Sequence, residues 1–152
     1  MQISTGIDYA LHGLVYLARQ PPGRVVLIDK IAEAIRVPES YLRKVFQALS
    51  REGLVVSQRG AKGGYYLSRP PGDINLSEVV HALEGQRAFY SCQAMRRGCG
   101  LSSNCPIKGA FAEAEKRFYQ VLENNTLKEI VEQISGYGNE VKWISKAGYG
   151  QS

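Results

Sequence analysis

Apolar residues in the first fifty positions recur at helical spacing in three separate stretches. Ile7, Leu11, Leu14, Val15 and Ala18 share one face and predict a helix over about residues 5–19, which Pro21, Pro22 and Gly23 stop. After Val26 and Leu27, a shorter helical pattern turns Ile28, Ile31, Ala32 and Ile35 inward. Pro38 is placed to open a third helix in its first turn, where a missing N–H costs no hydrogen bond. Tyr41, Leu42, Val45, Phe46 and Leu49 form the apolar face of that helix, and Gly53 ends it.

The period then changes. Residues 54–67, LVVSQRGAKGGYYL, are β-branched or aromatic at both ends with a basic, glycine-rich middle, the pattern of a two-stranded hairpin. Three short helices followed by such a hairpin predict a winged helix-turn-helix, a mainly α fold with a small β-hairpin. Beyond the break at Pro70, Pro71 and Gly72, Asn75 and Glu78 have the spacing of a capping box, opening a helix that carries Leu76, Val79, Val80 and Leu83. From Pro106 a long amphipathic helix follows, with Ile107, Phe111, Ala114, Phe118 and Val121 at alternating steps of four and three. A lone helix with such a stripe is unstable in water, so it packs on its own domain or on its copy in a second chain, as a dimerisation helix. Thr126 and Glu129 open one more short helix, and from Gly136 the chain is Gly-rich, with Tyr137, Trp143 and Tyr149 as its few anchors and partial mobility expected. The division expected is a DNA-binding unit at 1–72, a cysteine loop and dimerisation region at 73–135, and a flexible tail at 136–152.

Charge sharpens this picture. The 152 residues carry a formal charge of +5, and all of the excess lies in the first half: residues 1–72 hold ten Lys or Arg against five Asp or Glu, residues 73–152 nine of each. A basic half beside a neutral one fits a polyanion-binding unit joined to a regulatory one, although a biased solvated surface has the same composition. No apolar run is long enough to span a membrane and the first residues lack a signal-peptide pattern, so a cytoplasmic setting with reduced cysteines is expected.

On the third helix, Ser40, Arg43, Lys44 and Gln47 lie off the apolar face and carry donors suited to base edges or phosphates. A solvated helix face would look similar. The hairpin tip adds weight: Arg59 and Lys62 flank glycines that keep it narrow, and a narrow basic tip can enter a minor groove.

All three cysteines, Cys92, Cys99 and Cys105, fall in one segment, SCQAMRRGCGLSSNCP. Three thiolates on a bending loop suit an iron-sulfur cluster with one non-thiolate ligand. Structural zinc is the alternative, but the intervals of six and five residues lack the short knuckle that zinc sites use. No Cys-His pair close in sequence suggests a nucleophile and its base, and His12 and His81 sit inside apolar helical patterns, so an enzyme is not expected.

With these residues assembled, the chain resembles the bacterial winged-helix regulators that include the iron-sulfur cluster regulator IscR, the nitric-oxide-sensing repressor NsrR and the iron regulator RirA. The resemblance spans roughly residues 1–135 and is carried by several stretches: the opening STGIDYA, the SYLRKV run at 40–45, the SQRGAKGGY wing at 57–65, the helix at 76–83, and three cysteines before a long helix. It implies a homodimer whose long helices cross, a palindromic double-stranded DNA operator, Arg59 in the minor groove, and Ser40 and Arg43 near base edges. It also implies a cluster held by Cys92, Cys99 and Cys105. Members that use a histidine place it three residues after the last cysteine, where this chain has Lys108, whose ammonium has no lone pair for iron. NsrR-like members take an acidic ligand from the partner chain's first helix, and the matching residue is Asp8; a local capping box with Thr5 is its alternative role, and Glu84 a weaker substitute ligand. On this resemblance a [4Fe-4S] cluster is favoured over [2Fe-2S].

The function expected is a cluster-dependent repressor that responds to nitric oxide or oxygen. Its alternatives are a regulator reporting iron or cluster status, an electron-transfer or iron-sulfur carrier protein, and a cluster-free thiol or small-ligand regulator.

Overall fold

The computed structural model describes residues 3–92, 98–101 and 104–137; the sequence beyond, including most of the expected tail, lies outside the described residues. Among them are α1 (Thr5–Ala18), α2 (Ile28–Ile35), α3 (Glu39–Arg51), β1 (Val55–Gln58), β2 (Gly64–Leu67), a 3-10 turn (Pro71–Asp73), α4 (Leu76–Glu84), α5 (Pro106–Glu123) and α6 (Leu127–Ser135). None of these helices is long and apolar enough to cross a membrane.

α1 touches α2, α3, α4, α6 and β2. Eight of its residues are therefore buried, adding Tyr16 and Leu17 to the face expected from its periodicity and making it wider than a single stripe. The closest approach is at Gly13. A Cβ there would lie 2.7 and 2.8 Å from two carbons of the Phe46 ring, well inside the ~3.5–4.0 Å at which carbon atoms rest. Phe46 of α3 is fully buried and meets Tyr65 of the hairpin edge-on at 5.2 Å, so one side chain joins α1, α3 and the wing.

α2 ends where Arg36 takes the left-handed conformation and the Val37 N–H donates to the Ala32 carbonyl at 3.0 Å. Pro38, expected inside the first turn of α3, instead precedes it: its backbone is extended (ψ 125°) and the helix starts at Glu39. The fixed proline ring serves there to direct the chain into the helix rather than as its first residue.

The hairpin pairs Val55 with Leu67 through to Gln58 with Gly64. Val26 adds a bridge on its outer edge, exchanging two hydrogen bonds with Tyr65 at 2.9 and 2.8 Å. Gly64 makes this possible, since a Cβ at that position would stand 2.2 Å from the Val26 carbonyl oxygen.

Both expected capping boxes form, Asn75 with Glu78 and Thr126 with Glu129. They face each other. Asn75 and Thr126 form a β-bridge, the Leu76 N–H donates to Asn125 at 3.0 Å, and the Leu127 N–H donates to Ile74 at 2.9 Å. Ile74, Val79 and fully buried Leu127 consequently belong to the same apolar core as the residues of α1 to β2. α5 differs from every other helix in having no buried residue; Ile107, Phe111 and Val121 are 58, 46 and 61 % exposed. Phe118, on the same stripe, packs within its own chain against Phe89 at 5.0 Å and Tyr119 at 5.2 Å.

Gly13→Ala sets two effects against each other. Helix propensity favours alanine by roughly 0.5–1 kcal/mol, whereas forcing the Phe46 ring aside costs about 1–3 kcal/mol. Overpacking wins, and G13A should lower the urea midpoint without changing the slope of the transition.

Candidate DNA-reading surface and cysteine segment

Leu42, Val45, Phe46 and Leu49 pin one face of α3 into the core, which leaves Ser40, Arg43, Lys44 and Gln47 on the exposed side. Arg59 and Lys62 are exposed at the hairpin tip, where the Gly63 N–H donates to Gly60 at 2.9 Å and closes a compact turn. Between the helix and this wing lies a polar groove of about 500 Å³, lined by Asp29, Glu39, Arg43, Gln58 and Arg59 among others. Of the six expected DNA contacts, Arg43 and Arg59 thus share one groove. Ser40, Lys44, Gln47 and Lys62 are exposed but do not line it. Glu39 does line it, and its carboxylate pairs with the Arg43 guanidinium one turn further along the helix. Its sequence signal was the four-residue interval to Arg43.

The cysteine segment begins with two aromatic residues that periodicity does not single out. Phe89 packs on Phe118 and Tyr119 of α5, and its N–H donates to the Glu115 carboxylate at 3.3 Å. Tyr90 stacks on Phe111 of the same helix, ring centroids 4.6 Å apart and 12° from parallel. The Tyr90 phenol is held above its ordinary pKa, first by desolvation, then by the neighbouring Cys92 thiol and last by Cys105. One phenol thus feels both ends of the cysteine segment. The adjacent aromatics just before Cys92 were the available sequence signal. None of the three cysteines is in a disulfide: Cys92 and Cys105 are half-buried, Cys105 immediately precedes α5, and Cys99 is exposed.

Asp8 is exposed on α1. The local box with Thr5 is absent, because the helix is preceded by Ser4 and has no side-chain cap. Its carboxylate faces His12 instead, Oδ1 to Nδ1 3.2 Å. Beside it lies a shallow depression of about 420 Å³ whose apolar lining includes Ile3, Leu11 and Leu122. His81, the other histidine, stacks on Tyr119 at 4.4 Å, a packing role. Among the described residues no three His, Cys, Asp or Glu side chains converge closely enough to hold a metal ion. The donor set still fits an iron-sulfur cluster in chemistry: three thiols in one segment, none of them in a disulfide.

A helix-turn-helix with a basic wing is the architecture of a DNA-binding transcriptional regulator. Residues 3–133 match the Rrf2 family, described as iron-dependent transcriptional regulators, and the chain belongs to that family. It is 34 % identical over 132 residues to the HTH-type transcriptional regulator NsrR of Shouchella clausii, covering 86 % of this chain and 89 % of that protein. Among solved structures it is similar to CymR, the global cysteine regulator of B. subtilis (TM-score 0.72, 27 % identity, 88 and 98 % of the two chains). It is equally similar to IscR of T. potens (TM-score 0.71, 28 % identity, 91 % of each chain). These relatives are regulators, and the chain is a transcriptional regulator rather than an enzyme.

Replacing Arg59 with alanine should weaken binding to duplex DNA and lower the slope of log affinity against log salt by about one, since one exposed cation of the wing is lost. The far-ultraviolet circular dichroism and melting temperature should stay at wild-type values, because the side chain lies outside the core.

Proposed function

We propose that the chain is a homodimeric, iron-sulfur-dependent repressor acting in the cytoplasm, in which residues 1–72 read a palindromic operator and residues 73–135 hold the cluster and the dimer contact. The carrying observation is at Tyr90: two residues before Cys92, it stacks on Phe111 of α5, the helix that Cys105 immediately precedes and that has no buried residue of its own. Cysteine chemistry and subunit contact therefore meet on one helix.

When bound, the cluster supplies a centre sensitive to nitric oxide and oxygen. Cys92, Cys99 and Cys105 are its thiolate donors in this reading, and Asp8 of the second protomer the fourth. A [4Fe-4S] form is favoured because Lys108, exposed in the first turn of α5, stands where a histidine ligand is absent. The exposed apolar side chains of α5 support its packing on a second copy. Ser40, Arg43, Lys44 and Gln47 then meet successive major grooves about one helical turn apart, while Arg59 and Lys62 reach the minor groove. A change in how Cys92 and Cys105 are held alters α5 at the dimer axis, and with it the spacing of the two reading heads.

A second reading is supported by the similarity to CymR, the global cysteine regulator of B. subtilis, and by an exposed Cys99 that is in no disulfide: a cluster-free regulator switched through its cysteines. A regulator of iron or cluster status uses the same residues as the leading reading.

Anaerobic purification separates these. The leading reading expects iron and sulfide in near-equal amounts with a visible charge-transfer spectrum, lost in each of C92A, C99A and C105A, and a shortened cluster lifetime in D8A with fold and dimer intact. A colourless wild-type protein that still binds DNA would establish the thiol regulator instead. Independently, Ile107→Glu with Val121→Glu should convert a sedimenting dimer to monomer at micromolar concentration while retaining helical content, because both residues are more exposed than buried in their own chain.

A further inference from the structure

A surface built to meet a polyanion has little use for carboxylates, yet the reading groove holds two, Asp29 and Glu39. Asp29 is engaged locally, its Oδ1 accepting the Lys30 N–H at 2.8 Å in the first turn of α2. Glu39 is different. It is the first residue of α3, its side chain is 46 % exposed, and it pairs with Arg43 across one helical turn.

An exposed pair of this kind contributes little to stability. Its consequence is directional. Arg43 has several rotamers open to it on a free helix surface, and the carboxylate holds its guanidinium alongside the start of α3, within the groove that Arg59 also lines. The pair presents an acceptor and a donor side by side. Phosphates repel the carboxylate, so DNA satisfies it only through a donor on a base edge, such as the N4 amino group of cytosine. Arginine prefers the O6 and N7 acceptors of guanine. Cytosine and guanine offer both within one base pair in the major groove.

The geometry points to Glu39 as a specificity-determining residue that acts with Arg43 to select a G·C pair in each half-site. This rests on α3 being the recognition helix. A negative charge at a helix start also favours the helix dipole, and the test must separate that local benefit from base selection.

Full-length wild type, E39A, E39Q and R43A are each used to enrich sites from random-sequence duplex DNA at one salt concentration. Affinities for the wild-type-selected site and for random duplex are then measured. Wild type should enrich a G·C pair at one position of each half-site. E39A and E39Q should lose about tenfold of the preference there, the scale of one bidentate base contact, and bind random duplex more tightly than wild type. R43A should lose the same preference, and the E39A/R43A double variant should lose no more than either alone. E39Q keeps the size of the side chain, so the test stands even if E39A weakens the helix.

Unchanged base preference in both Glu39 variants, with only a lower melting temperature, would overturn the proposal in favour of the dipole role. An equal affinity gain for every sequence would also overturn it, leaving the carboxylate as a general brake on binding. If wild type enriches no sequence, α3 is not the recognition helix and the underlying reading fails with it.

Discussion

Phe46 can press its ring against α1 because position 13 has no side chain, and the arrangement of the surface between α3 and the wing follows from that contact. The ring fixes how deeply α3 sits on α1, and its edge-on meeting with Tyr65 fixes the hairpin relative to α3. The groove between Arg43 and Arg59 is the outer side of this packing. A polar surface that must match the fixed spacing of base edges and phosphates is thus positioned by an apolar contact on the opposite side of the helix, where dense packing tolerates little displacement.

The elements carrying local signals were legible in the sequence. Two capping boxes, a glycine-rich hairpin tip and helical spacing of apolar residues are instructions that act over a few residues, and α3, α4, α6 and the wing followed them. What the sequence left unread depended on partners distant along the chain. Tyr16 and Leu17 lie off the face that periodicity assigned to α1, and they are buried because α1 is surrounded. Phe118 fits a heptad stripe, but Phe89, twenty-nine positions earlier, gives it an intrachain partner. For the site, the residue types were visible and their grouping was not: Arg43 and Arg59 meet because strand pairing returns the chain, whereas Tyr90 gains its place through a ring, Phe111, that sequence assigns to another element.

The cysteine segment combines opposing demands. A thiol that reacts or ligates must be reachable, as exposed Cys99 is, while a signal must be passed to something firm. Phe89 and Tyr90 supply the firm side by resting on Phe118, Tyr119 and Phe111, so the segment is moored at its first cysteine and, through Cys105 at the start of α5, at its last. Family membership with both an NsrR and a CymR among the similar proteins fits this layout, since the moorings lie outside the thiol chemistry itself.

The stitching of α4 to α6 gives α5 a mechanical character. Its last turn is followed at once by Asn125, whose carbonyl accepts from Leu76, and by Leu127, which is locked in the core. That end is a fulcrum. The other end begins at Cys105, and between the two α5 packs on α4 through Tyr119 and on Phe89 and Tyr90. Eighteen residues of helix make an arm about 27 Å long, so a tilt of about 10° at the fulcrum carries the far end through about 5 Å. A displacement of the far end is thus matched by a proportionate rotation at the near one, which is bonded to the body that carries the groove between Arg43 and Arg59.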